Sequence, residues 1–497
     1  MSAKRIAIFN PDNPSGGNAV VGARFIGRLT VNNRPINRAP TKHERSNELS
    51  GFNQGRGKQH GAALIVMLVI VVMGAAIFLV SSLSSAALQI KRDEITAASL
   101  AQAKDALIGY AASVKISSSS SSNQPRPGDL PCPDTNNTGV AGTSCGSAAG
   151  SNQALRLGRL PWKTLGLPDL RDGSGERLWY AVSNNFKNST RTSLLNSDTV
   201  GTISVFAPDG TRLNDGSGST GAVAVIIAPG DVLTRTDKTT PQDRSSAGIN
   251  NPQNYLDIAL GEDNASFTDG SSTNGFIQGR IKDSNGNTIV NDQLLVISQD
   301  NIMQAIQKRV AGEVKNCLQD YASNNRNRYP WAAPITDLTT PYDDNSGTYF
   351  GRIPDNLNDS KNDIQLSTSD TWGAACNTHT SNTPATWWMN WKEMVFYGLA
   401  KKFKPNDFNA PSFPSTCATA GNCLSINNSS TPARFVVIVA GKMLSTPNQA
   451  NRNSNNSTKS NAFYYLEGGN QNADQSGGYT FIQGAPLATF NDTVVFQ

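Results

Sequence analysis

The sequence predicts an α+β protein. A membrane-spanning helix near the N-terminus continues into a helix packed on antiparallel sheet, and the globular unit is duplicated in tandem. Three observations carry that expectation. One uncharged apolar run of membrane length, "AALIVMLVIVVMGAAIFLVSSL", occupies Ala62–Leu83. Two helical stripes, two hundred residues apart, each end in a Pro-rich break. Six short strings recur in one order along the two halves of the chain.

The apolar run is preceded by a basic head. Residues 1–61 hold ten Lys/Arg and three Asp/Glu, a balance of +7, so the rest of the chain sums to +5 − 7 = −2. A basic flank before an apolar span places that flank in the cytoplasm and the remainder across the membrane. The run reaches the ~20 residues that a bilayer requires and exceeds the ~7–15 apolar residues of a cleaved secretory signal. Nucleic-acid binding is the rival reading of a basic head, but the body carries no basic stripe to support it. At 37 % apolar and 16 % charged residues, with much Ser, Thr, Asn and Gly, the composition suits an exported, loop-rich protein.

Beyond the span, Leu100, Ala103, Leu107, Tyr110 and Ala111 continue at helical spacing. The helix is expected to end near Ser113, before a serine run and "NQPRPGDLPCPD". The second stripe, Ile302, Ile306, Val310, Val314, Cys317 and Tyr321, runs into "RYPWAAP". Gln304, Lys308 and Lys315 suit its solvated outer face. After each helix the strings follow in order: "GRLPW" and "GRIP", "RLWYAVSNNF" and "MVFYGLAKKF", "VAVIIAPG" and "FVVIVAG". Then come "NYLD" and "YYLE", "FIQG" twice, and "NDQLLVIS" and "NDTVVFQ". The expected organisation is a leader over 1–61, an apolar helix over 62–86, a first α+β unit over 87–298 and a second over 299–497.

All six cysteines lie beyond the span, which fits disulfides in an oxidising compartment. Nearest-neighbour pairing gives Cys132–Cys145 and Cys417–Cys423 and leaves Cys317–Cys376; free buried thiols are the alternative.

The basic tract ending in Gly61, followed at once by the apolar helix, resembles the class III leader of type IV pilins and type II secretion pseudopilins. The resemblance implies cleavage between Gly61 and Ala62 by a prepilin peptidase and N-methylation of Ala62. It also implies that the Ala62–Leu83 helix is first an inner-membrane anchor and later part of a filament core. The implied partners are other pilin or pseudopilin subunits, the inner-membrane assembly platform and the lipid bilayer, with the body in the periplasm of a Gram-negative bacterium. Major pilins carry Phe at the first mature position and Glu at the fifth, where this chain has Ala62 and Val66. Absence of that glutamate is typical of the large minor subunit at a filament tip. The leader is long for the family. The stretch "GRLPWKTLGLPDLRDGSGERLWYAVS" also resembles long minor pilin-like proteins. The alternative is a permanently anchored periplasmic adhesion or binding module that is neither processed nor polymerised.

Catalytic chemistry finds little to work with. The body holds one histidine, His379, read as a solvated loop residue in "CNTHTSNTPA". Neither a phosphate loop nor a dinucleotide fingerprint occurs. No enzyme activity and no cofactor is expected, with one weak exception. "DTNNTG" begins like a calcium loop, making Asp134, Asn136 and Thr138 a candidate structural Ca²⁺ site, although Cys145 stands where a bidentate Glu belongs. "TWWMNW" places Trp387, Trp388 and Trp391 either on a binding surface or under the second sheet, opening a helix that ends at Phe403. The Asn/Ser-rich stretch over 448–461 is read as a solvent-facing loop.

Overall fold

The computed structural model describes residues 61–121, 124–146, 153–189, 191, 193–357, 371–405, 417, 422–428, 432–445, 449–452 and 455–497, with side chains left aside at 61–66 and 74–85. Among the described residues the backbone divides into two units, with the boundary between Ala75 and Ala76. The apolar expectation for Ala62–Leu83 therefore falls partly outside the described side chains. Among the described residues no helix is long and apolar enough to cross a membrane.

Helix α1 (Gly61–Ser113) stops where the sequence predicts. It buries Thr96, Ser99, Leu100, Ala103, Leu107 and Ala111, spaced so that one face meets the body. Helix α2 (Gln299–Asn324) starts with a capping box: Ser298 Oγ accepts from Asn301 N, and Asn301 Oδ1 accepts from Ser298 N. Such reciprocal capping satisfies two otherwise orphaned donors. The predicted stripe Ile302, Ile306, Val310, Val314, Cys317 and Tyr321 is buried, while Gln304 and Lys308 are exposed. Lys315 is half-buried and donates to Phe496 O at 3.0 Å.

Two antiparallel sheets follow the helices. The first joins β1 (Leu157–Arg159), β2 (Trp179–Val182), β3 (Ala224–Ala228) and β4 (Gln293–Ile297), side by side in chain order. The second joins β5 (Phe350–Arg352), β6 (Val395–Leu399), β7 (Phe435–Val439) and β8 (Thr493–Phe496) in the same order. Strand side chains alternate between faces, and both faces of the first sheet are covered. Tyr180, Val182, Ala224, Ile226 and Ile297 join Leu107 and Ala111 in the main core. Trp179, Ala181, Val225 and Ile227 join Tyr255, Leu256, Phe267 and Phe276 in a second core.

The matched strings occupy matched places. Tyr180 Oη donates to Pro131 O at 3.2 Å, and Tyr397 Oη donates to Pro330 O at 3.1 Å. Leu130 N donates to Phe186 O at 2.7 Å, and Tyr329 N to Phe403 O at 2.9 Å. Val205–Phe206 pairs parallel with Phe276–Ile277, as Ser425–Ile426 does with Thr480–Phe481. One expectation is corrected. "MVFYGLAKKF" is not a helix: it forms β6 and then a 3₁₀ turn at Lys401–Phe403. Its aromatic and β-branched residues fit a strand buried on both faces better than a helical stripe.

The halves share one continuous core, in which Leu107 and Ala111 join Ile302, Ile306 and Val437. Polar contacts also cross between them. Ser197 Oγ donates to Ala440 O at 2.6 Å, Leu195 N to Asn390 Oδ1 at 3.0 Å, and Arg452 pairs with Asp198 at 2.9 Å.

Gly158 and Gly351 sit at equivalent points of β1 and β5, where a Cβ would run into the carbonyl oxygens of Asp134 and Ala333. Gly158→Ala and Gly351→Ala should each lose about 1–3 kcal/mol, read as a lowered urea midpoint with an unchanged slope. A midpoint equal to the parent's would mean that these edge strands yield freely.

Candidate functional site

The apolar end of α1 comes first. The seven side chains from Met67 to Met73 are all exposed, between 48 % and 73 %. At 100° per residue, seven consecutive residues cover the whole circumference, so this stretch has no polar face. Contiguous exposed apolar surface of that kind marks a place where lipid or protein covers the chain. The backbone at Gly61, Ala62, Val66 and Leu83 lies in α1; their side chains, and the leader over 1–60, lie outside the described residues.

The three nearest-neighbour disulfides are present: Cys132–Cys145, Cys317–Cys376 and Cys417–Cys423. Cys132–Cys145 and Cys417–Cys423 close short loops, Cys317–Cys376 spans 59 residues, and each bond stays within one half. At the candidate calcium loop, Asp134 Oδ1 accepts from Asn136 N at 3.0 Å and Oδ2 from Gly139 N at 2.5 Å. Thr138 Oγ1 donates to Asn136 Oδ1 at 2.7 Å. An ion here would have to displace that turn. Among the described residues no group of three or more His, Cys, Asp or Glu is placed to hold a metal.

His379 corrects the reading of a solvated loop. It is 1 % exposed, stacked on Trp372 with ring centroids 5.3 Å apart. Its Nε2 lies 3.1 Å from Asp355 Oδ1 and its Nδ1 2.8 Å from Thr378 Oγ1. Asp355 also accepts from Lys392 Nζ at 2.7 Å. The order Asp–His–Thr has the form of a nucleophile relay. Thr378 is 1 % exposed, however, and its hydroxyl faces the sulfurs of Cys317 and Cys376 at 3.2 and 3.0 Å. With hydroxyl and ring both enclosed, the cluster reads as an internal tie. The signal missed in the sequence was its aromatic setting, since Trp387, Trp388 and Trp391 are also buried in the core, at 1 % exposure or less.

In the 448–461 stretch Ala450, Asn451, Asn455, Asn456, Ser457 and Asn461 are exposed, as expected, but the burial is not uniform. Gln449 and Arg452 are buried, and they belong to a polar cluster with a counterpart in the first half. In the first half Asp292 Oδ2 accepts from Asp257 N and Asn264 Nδ2, both at 2.8 Å. Asp257 accepts from Asn291 N at 2.8 Å and Gln242 Nε2 at 3.1 Å. In the second half Asp492 Oδ2 accepts from Glu467 N and Asn470 Nδ2, both at 3.0 Å. Glu467 accepts from Asn491 N at 3.0 Å and Gln449 Nε2 at 2.7 Å. The remaining oxygens, Asp292 Oδ1 and Asp492 Oδ1, are buried without a partner. Burial, and then the charge of Asp257, pushes Asp292 well above the usual carboxylate range; burial raises Asp257 to about 6. Burial and Glu467 do the same to Asp492. A buried carboxyl beside a second one is favoured in its protonated form. The repeated "NYLD"/"YYLE" and "ND" strings carried this cluster in the sequence, where acidic residues in polar loops gave no reason to expect burial.

A buried arginine lies behind each sheet. Arg159 sits 4.3 Å from the Trp179 ring and 3.9 Å from that of Tyr255. Arg352 sits 4.8 Å from Phe396 and 4.9 Å from Tyr465. Loss of hydration lowers the Arg159 guanidinium to about 10.

Raised carboxyls make the folded chain hold protons that the unfolded chain has released. Their contribution is complete below about pH 4 and declines as pH rises through 6 and beyond. Asp292→Asn and Asp492→Asn remove the titrating group and keep an oxygen to accept the two hydrogen bonds. Each should raise stability at pH 8 by about 1–3 kcal/mol and lose that gain at pH 4, as read by thermal melts across pH. Adding Ca²⁺, or removing it with a chelator, should leave the melt unchanged, whereas a calcium-dependent shift lost in Asp134→Asn would restore the ion site. Compared with known proteins, the chain matches no family model, no curated protein and no solved structure.

Proposed function

We propose that this chain is a minor pilin or pseudopilin subunit acting at the tip, or in the initiation, of a type IV pilus or type II secretion filament. Its body is a tandem duplication of one pilin-like α+β unit. The carrying observation is the apolar end of α1, exposed on every side from Met67 to Met73 and entered directly from a basic tract ending in Gly61. An all-round apolar helix suits lipid first and the packed helices of a filament later. Cleavage after Gly61 would leave Ala62 as the N-terminus. Val66, in place of an acidic residue, avoids burying an unpaired carboxylate among apolar helices.

Support for the duplication lies in the equal strand order of the two sheets and the paired Tyr180/Tyr397, Gly158/Gly351 and Asp292/Asp492 contacts. Only the first copy is entered by the long helix; the second begins at its own capped helix, α2. A low-copy subunit of this kind would end or start a filament, because its extra mass occupies space that a further subunit needs. The role is non-enzymatic, and the partners are neighbouring subunits, the prepilin peptidase and the assembly platform of the inner membrane.

Intact mass and N-terminal sequencing of the membrane-extracted protein test the reading. The expected product starts at N-methylated Ala62, and Gly61→Ala should accumulate the uncut form. A mature chain starting at Met1, or normal processing of Gly61→Ala, would transfer the case to a permanently anchored binding module.

A further inference from the structure

The two buried arginines differ in what closes over them. Arg352 is sealed. Tyr342 lies against it with its ring centroid 6.0 Å from the guanidinium, and Glu393 reaches it at 3.6 Å. The Tyr342 hydroxyl donates to Glu393, so ring and carboxylate form one lid. Tyr342 is 1 % exposed and Arg352 fully buried.

Arg159 keeps the same two aromatic neighbours, from Trp179 and Tyr255, but lacks the lid. Glu176 is the counterpart of Glu393, two residues ahead of the "LWY" of β2 as Glu393 is ahead of "VFY" in β6. It is drawn away to Arg244 at 3.4 Å. Arg159 is held instead by two carbonyls, of Arg177 at 3.0 Å and Ile249 at 3.4 Å. Among the described residues it has no carboxylate within salt-bridge distance. Beside Arg159 lies a cleft of about 300 Å³. Arg159 and Trp179 line it, together with Leu155, Leu157, Pro252 and Phe267. Arg159 is 4 % exposed and Trp179 2 %. Arg159 Nε and Trp179 Nε1 are buried N–H donors without an acceptor; Arg352 Nε is one as well, so the donor particular to the first half is that of Trp179, where the second half has Phe396.

We propose that this cleft binds an aromatic carboxylate, the ring taking the place of Tyr342 and the carboxylate that of Glu393. The volume lies at the small end of ligand pockets and suits a single ring. The lining is mostly apolar, with Asp134, Thr135, Gln153, Asn250 and Ser266 as its polar members and the Asp134 carboxylate taken up by Asn136 N and Gly139 N. The vacant Trp179 donor and a guanidinium without a carboxylate partner ask for an anionic acceptor. The second half shows what completes such an arginine, because it carries both groups within its own chain. The same chemistry is available from a free aromatic acid or from a C-terminal aromatic residue of a neighbouring polypeptide.

Ligand-observed NMR titration of the detergent-solubilised full chain tests this. The probes are 4-hydroxyphenylacetate, its neutral amide, and a short peptide ending in tyrosine with a free or amidated C-terminus. At least one free carboxylate should bind saturably, with a dissociation constant of about 1 mM or below, and its amide about tenfold more weakly or worse. Binding by the acid assigns a small-molecule site; binding by the free-ended peptide alone assigns a chain terminus. Ser266→Trp and Ala154→Trp, each placing bulk on an exposed rim residue of the cleft, should abolish binding without lowering the melting temperature. Two rim variants guard against one of them misfolding. No saturable binding by either acid, equal binding of acid and amide, or binding unaffected by both rim variants would overturn the proposal.

Discussion

A sheet covered on both faces sets the terms for the rest of this molecule. The central strands β3 and β7 are buried along their whole length, so the segments crossing their far sides have no water to satisfy their backbone groups. Each half meets that demand in the same way. Side chains from the crossing loops are drawn inward and aimed at backbone N–H and C=O groups: Asn264 to both polar groups of Ile277, and Asn470 to both of Ile482. Asp292 and Asp492 then take the backbone N–H of Asp257 and Glu467. A buried amide left unpaired costs about 1–3 kcal/mol, which makes these polar side chains as much a part of the core as Ile226 or Val437.

The same solution carries a built-in tension. Two carboxyls that each accept backbone hydrogen bonds are buried side by side in each half, which favours the protonated form of Asp292 and of Asp492. The buried arginines show the complementary problem for a cation. Arg352 is covered by a ring and a carboxylate from its own chain, whereas Arg159 leans on carbonyls and two rings without such a cover among the described residues; each keeps a vacant Nε donor. The two halves thus share one strand order and differ at what closes over the arginine. The first carries the long helix and an open cleft; the second is sealed and packs its tryptophans inside.

Helix boundaries were legible in the residues because they depend on neighbours in the chain. The stripe from Ile302 to Tyr321, the stop at Ser113 and the break before Pro330 follow from spacing and backbone restriction alone. The pairing of the cysteines also followed from nearness in sequence, since Cys132–Cys145 and Cys417–Cys423 close short loops. The correspondence of strings such as "FIQG" reached the equivalent places in both sheets without any view of the fold.

What the residues could not convey was burial brought about by distant partners. His379 stands in a string of Asn and Thr and looks solvated; Trp372, Trp388, Asp355 and Lys392 enclose it from other parts of the chain. Gln449 and Arg452 stand in an Asn/Ser-rich stretch and are taken inside by Glu467 and Asp198. "MVFYGLAKKF" is compatible with a helix until β5 and β7 claim its hydrogen bonds on either side. Local preference, cysteine spacing and the apolar run of α1 are properties of the sequence by itself, because each rests on covalent neighbours. Which polar residues are interior, and which arginine is left open, was decided by tertiary structure, because solvation depends on what the rest of the chain places around a group.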